Sequence, residues 1–197
     1  MVPTLPNSRA EGDSLAKMLV WQDIFTDDEV MSDSNKVSPV TDGEGNEVSG
    51  MFQVESKMVT KGGDSIDIGC GNAFGGDAEE VDDAVEKVNN ITDEGVGFGY
   101  TETGFDSKSD LKTFLKSYFR KIMKHLKSND ASDEKIGQFK EDAQGIVKYL
   151  VSIYKELEFF MFRSMDSEAG MAFAYYPEGA HYPTFLYIKW GLKEVKF

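Results

Sequence analysis

The chain has 197 residues, of which 40% are hydrophobic and 12% aromatic, enough apolar surface for a folded domain with a substantial core. Its formal net charge of −14 argues against a nucleic-acid partner, because phosphate binding requires a basic surface. One cysteine and two histidines exclude an internal disulfide and argue against a zinc site built from these residues.

The first 17 residues are polar, contain two prolines and show neither helical nor strand periodicity. They predict a disordered extension (1–17) ahead of one domain spanning residues 18–197. They lack the apolar segment of a secretory signal, and no stretch of the chain has the length and hydropathy of a membrane span. We therefore expect a cytoplasmic protein.

Two strands are predicted around the acidic segment of residues 23–33. The apolar run MLVWQDIF, residues 18–25, predicts the first strand. In residues 50–60, Phe52, Val54 and Met58 alternate with polar side chains, which predicts a half-buried strand.

Residues 61–106 are rich in Gly, Asp and Glu and contain few apolar side chains. This composition predicts a long mobile acidic loop, with one strand near residues 84–91 that rejoins the sheet. The glycines match no nucleotide-binding motif, and Cys70 has no neighbouring histidine or close basic residue that would activate a thiolate. We expect no catalytic site there.

A helical hairpin is predicted over residues 107–157. Ser107 and Asp110 have the spacing of a capping box, and Ser132 is placed to cap a second helix after a short polar turn. Apolar side chains recur at helical spacing in both segments. The remaining sequence predicts three or four strands, so the fold class is α+β, with a curved, mainly antiparallel sheet carrying the hairpin.

The first predicted helix carries a concentration of basic side chains. Residues 1–107 contain 6 basic and 23 acidic side chains, whereas residues 108–197 contain 15 and 12. Such a face can be simply solvated, or it can bind an acidic partner or the acidic loop of the same chain. The seven basic residues are Lys108, Lys112, Lys116, Arg120, Lys121, Lys124 and Lys127.

Residues 23–33, DIFTDDEVMSD, hold five carboxylates in eleven positions. They can dock a basic partner, bind calcium weakly or form a solvated acidic patch; a catalytic pair has the least support, because no nucleophile or phosphate cradle accompanies it. The candidate calcium ligands are Asp27, Asp28, Glu29 and Asp33, without the ligand spacing of an EF-hand loop. A competing acidic cluster occupies Asp77, Glu79, Glu80, Asp82 and Asp83.

Several motifs in this order resemble the translationally controlled tumour protein (TCTP) family. They are MLVWQDIFTDDEVMSDS, IGCGNAFGGDAEE, KSDLKTFLKSYFRKIMKHL, LEFFMFRSMDSEAGMAFAYY and the ending KWGLKEVKF. The resemblance runs from residue 18 to residue 197. The sequence departs from the family pattern at Phe162 and Arg163, where the family has Gly-Glu, and in the extra loop residues EGVGFG.

The resemblance implies a β-tent fold with a helical hairpin, similar to zinc-binding Rab-exchange proteins and methionine sulfoxide reductases. It implies a non-enzymatic, monomeric, cytosolic protein that binds calcium, stabilises microtubules and docks small GTPases such as Rheb, in growth and survival pathways. It also implies release from cells by an unconventional route. The GTPase-contacting glutamate falls on Glu29, and the microtubule-associated region falls on residues 108–127.

An enzymatic alternative borrows nucleotide exchange or sulfoxide reduction from the fold relatives. Their zinc requires cysteine ligands, and their reductase chemistry requires a positioned thiolate. One cysteine does not supply these groups, so we expect neither zinc nor redox catalysis.

Overall fold

A helical hairpin packs on one face of a six-stranded sheet, and a three-stranded sheet packs near the opposite face. This computed structural model describes residues 18–61 and 86–196. The predicted disordered extension and residues 62–85 of the predicted mobile loop, with Cys70 and the competing acidic cluster, lie outside the described residues.

The two helices are α1 (Lys108–Ser128) and α2 (Asp133–Ser152), and single 3-10 turns occupy Tyr154–Glu156 and Lys189–Gly191. The strands of the described residues are β1 (Leu19–Asp23), β2 (Glu29–Ser32), β3 (Val37–Ser38), β4 (Met51–Glu55), β5 (Met58–Thr60), β6 (Lys87–Asn89), β7 (Thr101–Thr103), β8 (Glu158–Met161), β9 (Met171–Tyr175), β10 (Thr184–Ile188) and β11 (Leu192–Lys196).

The strand pairings of the described residues are all antiparallel. The larger sheet has the order β3-β4-β10-β9-β8-β7, the smaller sheet has the order β11-β1-β2, and β5 pairs with β6 as a separate ribbon. Leu19 of β1 lies opposite Lys196 of β11, so the two ends of the described domain are joined in one sheet. The predicted α+β class with a mainly antiparallel sheet is confirmed.

Both helices of the hairpin begin at the predicted capping residues. The Ser107 hydroxyl accepts a hydrogen bond from the Asp110 N–H at 3.2 Å and donates one to the Asp110 carboxylate at 2.8 Å. The Ser132 hydroxyl accepts from the Lys135 N–H at 3.3 Å. Each cap satisfies a backbone donor that has no partner inside its helix, which fixes where the helix starts.

The central strands have cores on both faces, because successive side chains of a strand point to opposite sides. Phe159 packs with the helices, whereas Phe160 packs with residues of the smaller sheet. All five residues of β10 are consequently buried. Burial of each large apolar side chain contributes about 1.5–3 kcal/mol, so this double-sided core is the main source of stability.

A polar contact joins α2 to the 3-10 turn that follows β10. The Trp190 indole N–H donates to the Asp142 carboxylate at 2.7 Å, and Asp142 is itself buried. The same carboxylate accepts from the Gln138 amide at 2.7 Å. Gly50 lies so close that a Cβ there would be 2.9 Å from the indole nitrogen. The helix position is therefore determined by directional contacts as well as by apolar packing.

The strand predicted over residues 50–60 is wrong in extent, because β4 ends at Glu55 and β5 begins at Met58. The chain turns at Ser56, whose N–H and hydroxyl both donate to the carbonyl of Pro183, at 3.1 and 2.7 Å. Beyond this turn the alternation no longer faces the core, and Met58 is 38% exposed.

The loop prediction is wrong for residues 92–106, where Tyr100 is buried and β7 joins the larger sheet. Polar turn residues order this segment: the Asp93 carboxylate accepts from the N–H groups of Gly95 and Val96 at 2.8 and 2.9 Å. The strand predicted near residues 84–91 is present as β6, but it pairs with β5 and does not join the main sheet.

Candidate functional site

The acidic turn, residues 23–33, is organised by Asp23, whose carboxylate is fully buried at the end of β1. One oxygen, Oδ1, accepts hydrogen bonds from the N–H groups of Phe25 at 2.8 Å and Thr26 at 3.0 Å. The other, Oδ2, accepts from the N–H of Gly170 at 3.1 Å. Burial raises the pKa of Asp23 above its ordinary value, and the three backbone donors oppose that rise. Asp23 therefore shapes the turn and is not presented to a partner.

The space around Asp23 is so tight that residue 170 must be glycine. A Cβ at Gly170 would lie 2.5 Å from Oδ2 of Asp23 and 2.8 Å from the hydroxyl oxygen of Tyr118. Tyr118 belongs to α1, and burial raises its pKa well above the ordinary value, with a further contribution from the Asp23 charge. The acidic turn, α1 and the segment before β9 thus meet at one buried point.

Asp27 and Asp28, two of the predicted calcium ligands, contact different parts of the molecule. Asp27 has a left-handed backbone with φ of 60° and forms an ion pair with Lys193 of β11. The Asp28 carboxylate accepts a hydrogen bond from the Ser164 N–H at 2.9 Å. Within the turn that Asp23 stabilises, the two carboxylates are therefore held by different residues of the same chain.

The other two predicted calcium ligands are equally separate. Asp33 accepts a hydrogen bond from the N–H of Leu19 at 3.1 Å, at the far end of the β1–β2 pair. Glu29 is exposed at the first position of β2, where the pairing with β1 shifts register. Glu29 is thus the carboxylate of this set that the structure places on the surface without a hydrogen bond to another described residue.

These positions do not fit a compact calcium shell. Within residues 18–61 and 86–196, no three acidic, histidine or cysteine side chains come close enough together to hold a metal ion. Calcium prefers six to eight oxygen ligands around one point, and the four carboxylates of the acidic turn do not converge. The four predicted ligands are therefore not gathered at one point in this structure, and calcium binding at the turn stays a prediction.

Six of the seven basic residues predicted on α1 are exposed and make no ion pair with any described residue. The seventh, Lys121, donates to the carboxylate of Glu168 at 2.6 Å and to the Glu168 carbonyl at 3.1 Å. Lys121 is therefore engaged within the chain. We call the other six the basic face: Lys108, Lys112, Lys116, Arg120, Lys124 and Lys127.

Part of the basic face borders a groove between α1 and α2, with a volume of about 980 Å³. Lys108, Lys112, Lys116 and Arg120 line it, whereas Lys124 and Lys127 do not. From α2 the groove receives Lys148, which the sequence analysis did not select. The sequence feature that could have identified Lys148 is its place on a predicted helix, next to Val147 and three residues before Val151. This interhelical groove and the acidic turn are the two candidate sites.

The acidic turn contacts α1 through Phe25. The Phe25 side chain is 36% exposed, and its ring lies 6.0 Å from that of Tyr118 and 6.1 Å from that of His125, both in edge-to-face orientation. Phe25 belongs to the acidic turn and the other two residues belong to α1. Neither Tyr118 nor His125 lines the interhelical groove, so Phe25 contacts a part of α1 outside the groove.

The sequence model of the translationally controlled tumour protein family matches residues 18–193 of the chain. The chain belongs to this family. Its structure is similar to that of translationally controlled tumor-associated protein p23fyp from Schizosaccharomyces pombe, with 30% identity, a TM-score of 0.66, and coverage of 91% of this chain and 99% of that one.

A second TCTP structure, from Caenorhabditis elegans, matches with 21% identity and a TM-score of 0.57, covering 91% of this chain and 98% of that one. At this identity the likeness concerns the fold alone. No helix in the described part of the chain is long and apolar enough to cross a membrane.

The two segments that the sequence predicts to depart from the TCTP family pattern contact each other. Phe162 is buried, and its ring packs 5.4 Å from that of Tyr100. Arg163 is exposed and donates a hydrogen bond to the carbonyl of Glu94 at 3.2 Å, within the EGVGFG segment. A Cβ at Gly99 of that segment would lie 3.3 Å from the Arg163 side chain. The two departures are therefore one structural unit at the edge of β7.

Proposed function

We propose that this TCTP-family protein is a non-enzymatic binding protein of the cytoplasm, which associates with microtubules through the basic face of α1. One observation carries the proposal: six exposed basic side chains lie on one helix, unpaired with described residues, in a chain of net charge −14. A local positive surface on an acidic molecule attracts an acidic partner while the remainder repels it, which gives orientation as well as attraction.

Tubulin suits this surface because it carries acidic tails. Lys112, Lys116 and Arg120 are four residues apart and project at successive turns of α1, so an extended acidic segment can contact several of them in sequence. Exposed charge pairs of this kind are individually weak, and salt screens them. The association is therefore expected to be moderate, additive over the basic face and salt-sensitive.

The test is co-sedimentation of the full chain with microtubules over a salt series. A variant with Lys112, Lys116, Arg120 and Lys124 each changed to Glu is expected to lose most of the binding seen at low salt. The control variant changes four exposed lysines outside α1 to Glu, at Lys57, Lys87, Lys155 and Lys189, so the two variants have the same formal net charge. Equal loss in both variants, or unchanged binding in the first, would contradict the proposal.

For the acidic turn we propose docking of a small GTPase of the Rheb kind, with Glu29 as the contact residue. What supports this role is that Glu29 is exposed at the start of β2, on a turn whose shape is set from inside by Asp23. A carboxylate on a rigid turn loses little conformational entropy when it binds a basic group of a partner. Weak calcium binding near this turn, and release from cells, remain parts of the family-based proposal.

A further inference from the structure

The floor of the interhelical groove is apolar, although it faces away from the sheet. In both helices the deeply buried positions pack towards the sheet, and the groove is lined by the positions beside them. Phe119 is buried, and the other four floor side chains are covered only in part by described residues. The floor consists of Phe119, Met123, Ala143, Val147 and Val151.

The rim of the groove is uniformly basic. Among the described residues that line it, five are basic and none is acidic. Lys108, Lys112, Lys116 and Arg120 follow each other at one-turn spacing along α1, over about 18 Å of helix axis, and Lys148 faces them from α2. An apolar channel with basic edges of this length matches about three turns of a second helix.

We propose that the interhelical groove binds an amphipathic helix of a protein partner, with an apolar stripe flanked by Asp and Glu. The partner's apolar side chains, at spacings i, i+3, i+4 and i+7, contact Val147 and Val151, and its carboxylates pair with the rim. Met123 suits such a surface, because its flexible side chain adapts to different apolar shapes. Charge complementarity selects an acidic helix over a neutral one.

The shape of the groove favours an inserted helix over a flat lipid surface. None of the floor residues is among the strongly exposed large apolar side chains of the described chain, whereas the basic side chains of the rim are exposed. A bilayer needs protruding apolar groups, whereas the side chains of a helix reach into a recess.

This inference goes beyond the proposed association with acidic tails. An unstructured acidic tail uses the charges of the basic face and does not require the apolar floor. The groove uses the floor and only part of the basic face, because Lys124 and Lys127 lie outside it. The two binding modes therefore respond to different substitutions.

The experiment screens the full chain against a displayed library of peptides, each about 18 residues long, with Asp and Glu flanking a varied apolar stripe. A second library has the same composition with the apolar positions scrambled. Selection from the first library alone, with amide shifts in residues 108–123 and 143–152 on titration of the selected peptide, is the expected result. Enrichment from both libraries, or from neither, would overturn the proposal.

Variants then test the floor and the rim separately. Val147→Glu is expected to weaken the selected peptide at least about tenfold, and Lys112→Ala with Lys116→Ala several-fold. The double variant alters only exposed side chains, so it keeps the test decisive if Val147→Glu unfolds. Lys124→Ala with Lys127→Ala should leave peptide binding within about twofold while reducing microtubule binding.

Two outcomes would assign the groove differently. Peptide binding that is insensitive to both Val147→Glu and the Lys112–Lys116 double variant would contradict the groove as the site. Binding to phosphatidylserine vesicles that depends on Val147, without any peptide selected, would assign the surface to lipid and overturn the inference. Loss of microtubule binding in the basic-face variant, with peptide binding absent throughout, would leave only the proposed function standing.

Discussion

The buried carboxylate of Asp23 accepts a hydrogen bond from the backbone N–H of Gly170, 147 positions further along the chain, at 3.1 Å. This contact joins the acidic turn to the segment before β9, and Tyr118 of α1 packs against the same point. The acidic turn is therefore supported from within by a residue that is itself acidic. The carboxylates of Glu29 and Asp23 have opposite surroundings, because Glu29 is exposed on the surface and Asp23 is buried in the core.

Asp23→Asn tests this support through its pH dependence. Burial raises the pKa of Asp23 in the folded protein above its value in the unfolded chain. At pH values between the two, the folded protein therefore binds more protons than the unfolded chain. The resulting stabilisation is fully present below the unfolded pKa and is lost as pH rises through the raised folded pKa. The advantage in unfolding free energy of the natural chain over Asp23→Asn should therefore shrink with rising pH and then level off.

Urea unfolding of both proteins between about pH 4 and about pH 8 measures this difference. Asp23→Ala provides the size of the structural contribution, since it leaves the N–H groups of Phe25, Thr26 and Gly170 without their acceptor. We expect it to cost about 3 kcal/mol. A difference between the natural chain and Asp23→Asn that grows with pH would contradict the assigned direction.

Two glycine substitutions are expected to have opposite effects on stability. Gly170→Ala places a Cβ 2.5 Å from the Asp23 carboxylate oxygen, so the turn must shift, at a cost of about 1–3 kcal/mol. Gly145 lies exposed inside α2 with nothing within 4 Å of an added Cβ. Gly145→Ala should therefore stabilise the protein by about 0.5–1 kcal/mol.

Thermal or urea unfolding of the two alanine variants measures both changes in stability. The pair is matched, because each adds one methyl group and only the local surroundings differ. Similar stabilities for the two variants would show that the space around Gly170 can relax, and that Asp23 is less tightly enclosed than the distances indicate.

The features predicted from sequence were those with local causes. Ser107 and Ser132 cap the helices through residues three positions away, so their spacing alone identifies the helix starts. Apolar runs between turn residues likewise predict the strands that follow the hairpin, which the structure shows as β8 to β11. Helix starts, apolar stripes and strand-rich segments all depend on neighbours within one or two turns of the chain.

The features missed from sequence depend on distant partners. Nothing near Asp23 distinguishes it from the exposed carboxylates that follow, because its burial is decided by Gly170 and by α1. The sequence does not distinguish Lys121 from the other basic residues of α1, because its partner Glu168 lies 47 positions away. The acidic and glycine-rich composition of residues 92–106 predicts a loop because it obscures the buried anchor Tyr100.

Glu29→Lys is expected to abolish docking of a small GTPase without affecting the fold. The side chain is exposed, so the unfolding free energy should change by no more than about 0.5 kcal/mol, whereas a reversed charge repels the basic group of a partner. The measurement is a pull-down of the purified GTPase in both nucleotide states. Glu178→Lys, an exposed residue in the turn before β10, is the control with the same charge change. Equal retention by both variants would remove Glu29 from the contact.

Calcium binding at the acidic turn is expected to be weak, with a Kd on the order of 10⁻⁴ to 10⁻³ M, because the carboxylates point to separate partners. A calcium ion competes with Lys193 for the Asp27 carboxylate. Asp27→Asn should therefore reduce binding further, and asparagine tolerates the left-handed backbone there. Asp130→Asn is a matched control, since Asp130 also has a positive φ, of 51°, and lies outside the acidic turn.

Backbone NMR titration with calcium and magnesium measures all three proteins. Shifts confined to residues 27–33 that diminish in Asp27→Asn support the turn, shifts at residues 77–83 move the site to the other acidic cluster, and submicromolar affinity at either place would contradict the divergent geometry.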